Sequence, residues 1–554
     1  MDLFNTLKAV YPEEADTLHT QIESLIRTEK RERKSASLTQ ADMMLITYGD
    51  TLQDPDHTPL ATLETFLSTH LKGILSAVHI LPMFPYSSDD GFAVKDYKTI
   101  NPELGSWQDI QQLAQSFDLM FDAVVNHISK SSVWFKEYQK GNPKFDDFFI
   151  EYREDADYSK VVRPRSSPLF HKYETADGDK WLWTTFSEDQ VDLNFHNPKV
   201  LLELLKVLIL YAKMGAKFIR LDAIGFIWKE SGTPCIHHEN THRLIRIMRH
   251  VLNRTVPGTY LVSETNVPHE ENVSYFGEAF DEAHMVYQFP LPPLVLHAYL
   301  MHNSDTLRRW TASLDKTRLT KNATYFNFLA SHDGIGMRPT EGLITDDERN
   351  FMIDHVKNQG GHVSYKANPD GSETVYELNI NYLDALFSAG DSEEEHIRKF
   401  LGAHSILLSM KGVPGIYVHS LLGSRSDFQG AYTTQVPRRI NREKLSVTEV
   451  EKALADPHSR RHRIFQSLVE LMKIRRTKDA FHPEASKTVL QTDPRVFAFV
   501  KKGATSTVGV YVNLSSEFVN IETDMKGTDL IANRSIEGGC TLEPYQYVWL
   551  ERRG

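Results

Sequence analysis

NPKVLLELLKVLILYAKMG (197–215), running directly into AKFIRLDAI (216–224), carries the fold in miniature. In the first segment apolar residues recur at helical spacing, and Gly215 closes its C-terminus. The second is a nearly continuous apolar strand ending in an acid, Asp222. A strand apolar on both sides belongs in a parallel sheet covered on both faces. Working outward, MMLITYG (43–49), AVHILPM (77–83), LMFDAVVN (119–126), GTYLVSE (258–264), MVYQF (285–289), YFNFLAS (325–331) and GVPGIYVHS (412–420) repeat the strand, making eight in all. Eight strand–helix units over 43–420 predict an α/β protein built on a (β/α)8 TIM barrel. Its active site would lie at the C-terminal ends of the strands.

Two connections are too long for simple barrel loops. Residues 128–195 and 337–398 are polar and rich in turn formers, and read as two active-site insertions, the second lid-like. The catalytic barrel then spans 43–480, insertions included. After HRIFQSLVELMKIRRTKDAF (462–481) the pattern alternates, predicting a small all-β, sandwich-like domain over 481–554. Residues 1–42 read as a helical segment whose EKRERK run (29–34) is a solvated face.

Composition narrows the function classes. The chain has 554 residues, is 41% hydrophobic, and has a formal charge of −12. That charge argues against nucleic acid, and an anionic substrate needs a local cationic site. No apolar run is long enough to span a membrane, and the start MDLFNTLKAVYPEEAD lacks an export signal. The two cysteines, Cys235 and Cys540, lie far apart and read as free thiols in a reducing cytoplasm. No metal-ligand cluster stands out, and no cofactor is expected. A monomer and a homodimer both fit.

Three strand-ending segments, FIRLDAIG (218–225), LVSET (261–265) and FLASHDGIG (328–336), place Asp222, Glu264 and Asp333 at what the barrel makes one mouth. Carboxylates at buried strand ends are costly unless they have partners or a task. Two suffice for retaining glycoside chemistry, one as nucleophile and one as acid/base. Arg220, two residues before Asp222, projects to the same side and should lower its pKa, whereas Glu264 needs a raised one. Taken alone, Asp222 beside Arg220 reads as a structural ion pair, and His127 as a satisfied histidine. In series, at barrel-strand ends, the catalytic reading prevails.

DAVVNH (122–127), FIRLDAIG, SETN (263–266) and SHDGIG (331–336) stand in the order found in the α-amylase family, glycoside hydrolase family 13. Over nearly its whole length the chain resembles that family's sucrose-phosphorylase branch. The resemblance implies Asp222 as nucleophile, Glu264 as general acid/base and Asp333 as transition-state stabiliser, with His127 and His332 donating to glucose hydroxyls. Through WTTFSEDQVDLN (183–194) it implies Phe186 as an apolar platform under the glucose, with Gln190 beside it. Through SSDDGF (87–92) and PRRINR (437–442) it implies Asp89 and Arg438 at the non-reducing end, closing the site to larger glucans.

Phosphorolysis, unlike hydrolysis, needs a fixed cradle for phosphate. VVRPRSSPLF (161–170) supplies Arg163 and Arg165 around a stiffening Pro164. Read blindly, two loop arginines are surface charge; the resemblance makes Arg165 the phosphate ligand, together with Tyr376. On the acceptor side the chain departs from true sucrose phosphorylases, with Asn266 where they have His and Glu377 where they have Gln. GIGMRPTEG (334–342), KESGTPCIH (229–237) and VYQFPLPPLVLHA (286–298) are more like the glucosylglycerate phosphorylases. The expected reaction is therefore phosphorolysis of 2-O-α-glucosylglycerate to α-glucose 1-phosphate and glycerate. Sucrose, sucrose 6′-phosphate and glucosylglycerol are the alternative donors, and an α-glucosidase or transglucosylase the alternative class. Arg338 reads either as a contact for the glycerate carboxylate or as a surface charge, and Phe226 either as an acceptor-site wall or as ordinary packing.

Overall fold

The computed structural model describes residues 1–33, 37–317, 319–320, 323–368 and 371–553. Eight parallel strands close into a barrel: β1 (Met44–Thr47), β2 (Ala77–Ile80), β3 (Asp118–Ala123), β4 (Ala216–Leu221), β5 (Tyr260–Ser263), β6 (Met285–Tyr287), β7 (Thr324–Asn327) and β8 (Val413–Tyr417). Each lies inside one of the eight segments read from the sequence or within a residue of it. Neighbours in the barrel are neighbours in the chain, and β8 returns to β1 through Met44↔Gly415. Helix Pro198–Lys213 begins at Asn197, whose side chain accepts from the Lys199 N–H, and carries Pro at its first turn. The chain then turns at Gly215, whose φ of +118° favours glycine, and enters β4.

The first insertion leaves β3 and returns before the helix that precedes β4. Its base is a short antiparallel pair, His127–Ser129 with Gln190–Asp192, and its outer part a hairpin, Phe170–Thr175 with Gly178–Trp183. A buried polar network ties this base to the barrel. Asp192 accepts from the Thr185 N–H (2.7 Å), the Thr185 hydroxyl (2.6 Å) and the Asn126 amide (3.0 Å). The Lys229 ammonium, on the loop after β4, lies 2.8 Å from Asp192 and donates to Asn126 Oδ1 at 2.7 Å. Removing one partner of such a pair leaves the other charge buried and unanswered, at a cost of about 3–5 kcal/mol. Lys229→Met is therefore expected to lower the calorimetric melting temperature by several degrees; an unchanged Tm would refute the locking role.

The second insertion follows β7. It contains helix Asp346–Asn358 and a three-stranded sheet in which Glu373–Asn379 pairs with Ile335–Gly336 on one side and His362–Ala367 on the other. Its expected end at 398 falls within helix Glu393–Ser409, which leads into β8. In the sheet, Ser364 pairs with Glu377 and Tyr365 with Val375, so Tyr376 is a bulged residue. A bulge re-aims side chains, and Tyr376 and Glu377, which would otherwise point to opposite faces, both line the same cavity.

The C-terminal domain is one six-stranded antiparallel sheet. Its strands β9 (Ser486–Val489), β10 (Val496–Lys502), β11 (Thr507–Asn513), β12 (Val519–Asp529), β13 (Arg534–Leu542) and β14 (Tyr547–Arg552) lie in the order β9-β10-β11-β14-β12-β13. One face, with Phe497, Phe499, Val510 and Trp549, joins the barrel's apolar core; the other buries its own cluster around Tyr511, Val519 and Leu550. At the other terminus, helices Leu3–Val10 and Ala15–Glu29 pack on the barrel's helical layer through Leu7, Leu18 and Ile22. The charge run that follows ends at position 34, outside the described residues. Cys235 is buried, Cys540 half-buried, and both are free. Among the described residues no helix is long and apolar enough to cross a membrane.

Candidate active site

Strand register brings two of the three acids to one level. β4 and β5 pair with Leu221 opposite Ser263, so the next residues, Asp222 and Glu264, leave the barrel side by side. Ala223 then adopts φ +49°, a conformation rare outside glycine, and its N–H donates to Glu264 Oε2 at 2.9 Å. Arg220, buried beneath both, donates through Nη1 to Asp222 Oδ1 at 2.8 Å, while its Nη2 stands 3.8 Å from Glu264 Oε1. The same Nη1 bonds Asp122, which is also held by His79 Nε2 at 2.7 Å. Arg220, expected among the substrate contacts, is not part of the cavity wall and is engaged by the carboxylates of Asp122 and Asp222.

These charges do not tune Asp222 as the sequence suggested. Burial raises its pKa well above the carboxylate range; Arg220 opposes this, and the anions Glu264, Asp122 and Asp333 add to it. Arg220 falls short because it is divided with Asp122, which, despite burial, Arg220 and His79 hold at about 2. Burial raises Glu264 too, against Arg220 and the Ala223 N–H. The two carboxyls titrate as a unit that keeps a proton beyond the usual range. Only Asp222 receives a direct guanidinium hydrogen bond, so the charge rests on Asp222 and the proton on Glu264.

Asp333, after β7, is tuned the opposite way. Burial works against its charge, but Arg438, His332 and Arg442 hold its pKa below the ordinary range. Arg438 Nη1 stands 2.6 Å from Asp333 Oδ1, and Arg442 Nη2 3.7 Å from the same oxygen. Arg442 is fully buried and also contacts Asp90 (2.7 Å), Asp89 (3.4 Å) and the His332 carbonyl (2.8 Å). It ties Asp333 to Asp89 and Asp90, and it lies within the PRRINR run, where the sequence points to Arg438 instead. Asp89 and Asp90 both have positive φ, of 52° and 47°, a strained turn that these contacts hold in place.

One cavity collects Asp222, Glu264, Asp333, Asp89, His127, Phe186, Gln190, Phe226, Asn266, His332, Arg338, Glu377, Arg438, Arg165 and Tyr376. Every expected site residue except Arg220 is therefore on its wall. Phe92, missed in the sequence although it ends SSDDGF, also lines the cavity and stacks on His332 at 4.8 Å, nearly parallel. Burial holds His332 neutral, with its pKa pushed down to about 3. His127 places Nε2 2.9 Å from the Phe92 carbonyl, and Gln190 Nε2 lies 3.1 Å from the same nitrogen. The expected donation from His127 to a glucose hydroxyl has to compete with that carbonyl. The Phe186 ring sits 5.2 Å from His127 and 5.8 Å from Phe226.

Glu377, expected on the acceptor side, is spoken for. Its Oε1 accepts the Gly334 N–H at 2.6 Å and its Oε2 the Arg438 Nε at 3.1 Å, so it positions Arg438. Gly336 has no room for a side chain: a Cβ there would fall 2.6 Å from Asn266 Oδ1, a buried oxygen with no hydrogen-bond partner. Arg338 Nη2 reaches Glu271 at 3.2 Å, whose carboxylate also meets His237 Nε2 at 2.9 Å. Arg165 extends over Tyr376 (5.5 Å to the ring centre) and Phe186 (6.0 Å). No carboxylate among the described residues pairs with it. Among those residues, too, no group of His, Cys, Asp or Glu side chains could hold a metal ion.

A closed parallel barrel with three converging strand-end acids matches the α-amylase catalytic-domain family over residues 70–353. The chain belongs to the α-amylase family. It is 45% identical to a glucosylglycerate phosphorylase of Spirochaeta thermophila over 92% of this chain and 87% of that one. It is 44% identical to the glucosylglycerate phosphorylase of Escherichia coli over 96% of each. Among solved structures, a sucrose 6F-phosphate phosphorylase from Thermoanaerobacter thermosaccharolyticum superposes with a TM-score of 0.76. At 25% identity, that likeness covers 91% of this chain and 99% of the other.

Proposed function

We propose that this member of the α-amylase family is a retaining phosphorylase that splits 2-O-α-glucosylglycerate with inorganic phosphate into α-glucose 1-phosphate and D-glycerate. The observation that carries the reading is Arg165: a guanidinium without a carboxylate partner among the described residues, over Tyr376, facing the cavity of the three acids. Guanidinium forks suit phosphate, and a phosphorylase must favour phosphate over water. The names carried by the S. thermophila and E. coli relatives support glycerate as the acid released.

Asp222 attacks the anomeric carbon while the bond to the glycerate oxygen breaks; that oxygen takes the electron pair and the Glu264 proton. Glycerate leaves, and a glucosyl ester remains on Asp222. Phosphate, held by Arg165 and Tyr376, then attacks the same carbon, yields a proton to Glu264 and displaces the Asp222 carboxylate. Two inversions give retention. Asp333 stabilises positive charge at the anomeric carbon, and Asp89 and Arg438 close the non-reducing end. Asn266 and Arg338 face the glycerate, Phe226 walls its site, and Glu377 acts through Arg438. No cofactor enters the scheme, since phosphate is consumed as a co-substrate.

A panel of α-glucosides incubated with phosphate and scored for glucose 1-phosphate tests the reading, with the glycerate donor leading. Arg165→Ala should raise the phosphate KM about a hundredfold, the loss of one or two charge-assisted hydrogen bonds, and divert product toward free glucose. Glucose release at a rate indifferent to phosphate in the unmutated enzyme would instead identify a hydrolase.

A further inference from the structure

Of the cations that line the cavity, Arg165 comes from the first insertion and Arg338 and Lys366 from the second. Arg338 and Lys366 belong to the same small unit as Tyr376, joined by the Met337 N–H donating to the Tyr376 carbonyl at 2.9 Å and by the strand pairing Lys366↔Thr374. None of the three is well neutralised. Arg165 pairs with no described carboxylate, and Arg338 keeps a buried Nε without a partner. Its one acid, Glu271, is shared with His237. The Lys366 ammonium stands 3.6 Å from Glu341, a long contact.

We infer that the carboxylate of the leaving glycerate and the incoming phosphate occupy one cationic wall in succession, made by Arg165, Arg338 and Lys366. The inference rests on the glucosylglycerate reading above and gives Lys366 a role. Retention by double displacement requires the attacking oxygen to approach the anomeric carbon from the face the leaving oxygen vacated. In 2-O-glucosylglycerate the carboxylate is borne by the carbon that carries the leaving oxygen. The carboxylate oxygens thus lie two atoms beyond the leaving oxygen, and the other phosphate oxygens one atom beyond the attacking one. The two anionic groups therefore fall in the same few ångströms of space, where guanidinium and ammonium donors can serve either. A neutral leaving group would derive nothing from such a wall.

Steady-state kinetics on the intact enzyme provides the test, with glucosylglycerate and α-glucosyl fluoride as alternative donors. Phosphate at high concentration should inhibit competitively toward glucosylglycerate and not toward the fluoride, whose leaving group has no carboxylate. Lys366→Met should raise the KM for glucosylglycerate and for phosphate by a similar factor, about tenfold for one charge-assisted hydrogen bond, and leave the fluoride KM unchanged. Lys366→Arg should restore both. Phosphate without effect on the glucosylglycerate KM, or a Lys366→Met defect confined to one anion, would overturn the shared wall while leaving the proposed reaction intact. Phosphate-dependent turnover of the fluoride with none of glucosylglycerate would remove the glycerate reading, and this inference with it.

Discussion

Asp222→Asn is expected to reduce phosphate-dependent release of glucose 1-phosphate by at least about 10⁴-fold, because an amide cannot form the glucosyl ester on which both half-reactions depend. The same substitution should stabilise the fold at neutral pH. Burial, with the anions around it, raises the Asp222 pKa above its unfolded value. Between those two pKa values the folded chain binds more protons than the unfolded one, so stability falls as pH rises through the window. An asparagine has no such penalty. Its melting temperature should exceed the parent's at pH 7, and the difference should vanish as pH drops below the ordinary aspartate range. Full residual activity would refute the nucleophile, and a lower Tm at pH 7 would refute the electrostatic account.

Glu264→Gln should cost about 10²–10⁴-fold in kcat on glucosylglycerate, the usual worth of positioned proton transfer. The loss should nearly disappear in the glucosylation step with α-glucosyl fluoride, since fluoride leaves without a proton. The pH profile gives an independent reading. Glu264 must be protonated to act, and its pKa is raised mainly by burial. The parent's activity on glucosylglycerate should therefore decline as pH rises through the pair's upper pKa, and Glu264→Gln should lack that limb. An equal loss on both donors would point to misplacement of Asp222, through the Ala223 N–H that Glu264 accepts.

Much of this was legible because it is local. The apolar strands announced themselves by composition, and barrel closure put Asp222, Glu264 and Asp333 at one end with no further information. What escaped was held by contacts remote in sequence. Arg442 lies more than 350 residues from Asp89 and Asp90, and its hydrogen bonds to them exist only after β1 and β8 meet. Lys366 is one lysine among many until the bulge at Tyr376 folds its hairpin over the cavity. Glu377 reads as an acceptor contact because it stands where sucrose phosphorylases have Gln; the structure turns its carboxylate to Arg438 and Gly334.

By itself the sequence determined the barrel and the three acids, since these rest on periodicity and on a residue's place at a strand end; Arg165 drew its role from the family resemblance. Only the tertiary structure decided how those acids are tuned. A pKa is the sum of desolvation and of every charge nearby, and here Arg220 is divided between Asp122 and Asp222 while burial acts on all of them. Spacing of two residues places a guanidinium beside a carboxylate; it does not say how many other carboxylates claim it.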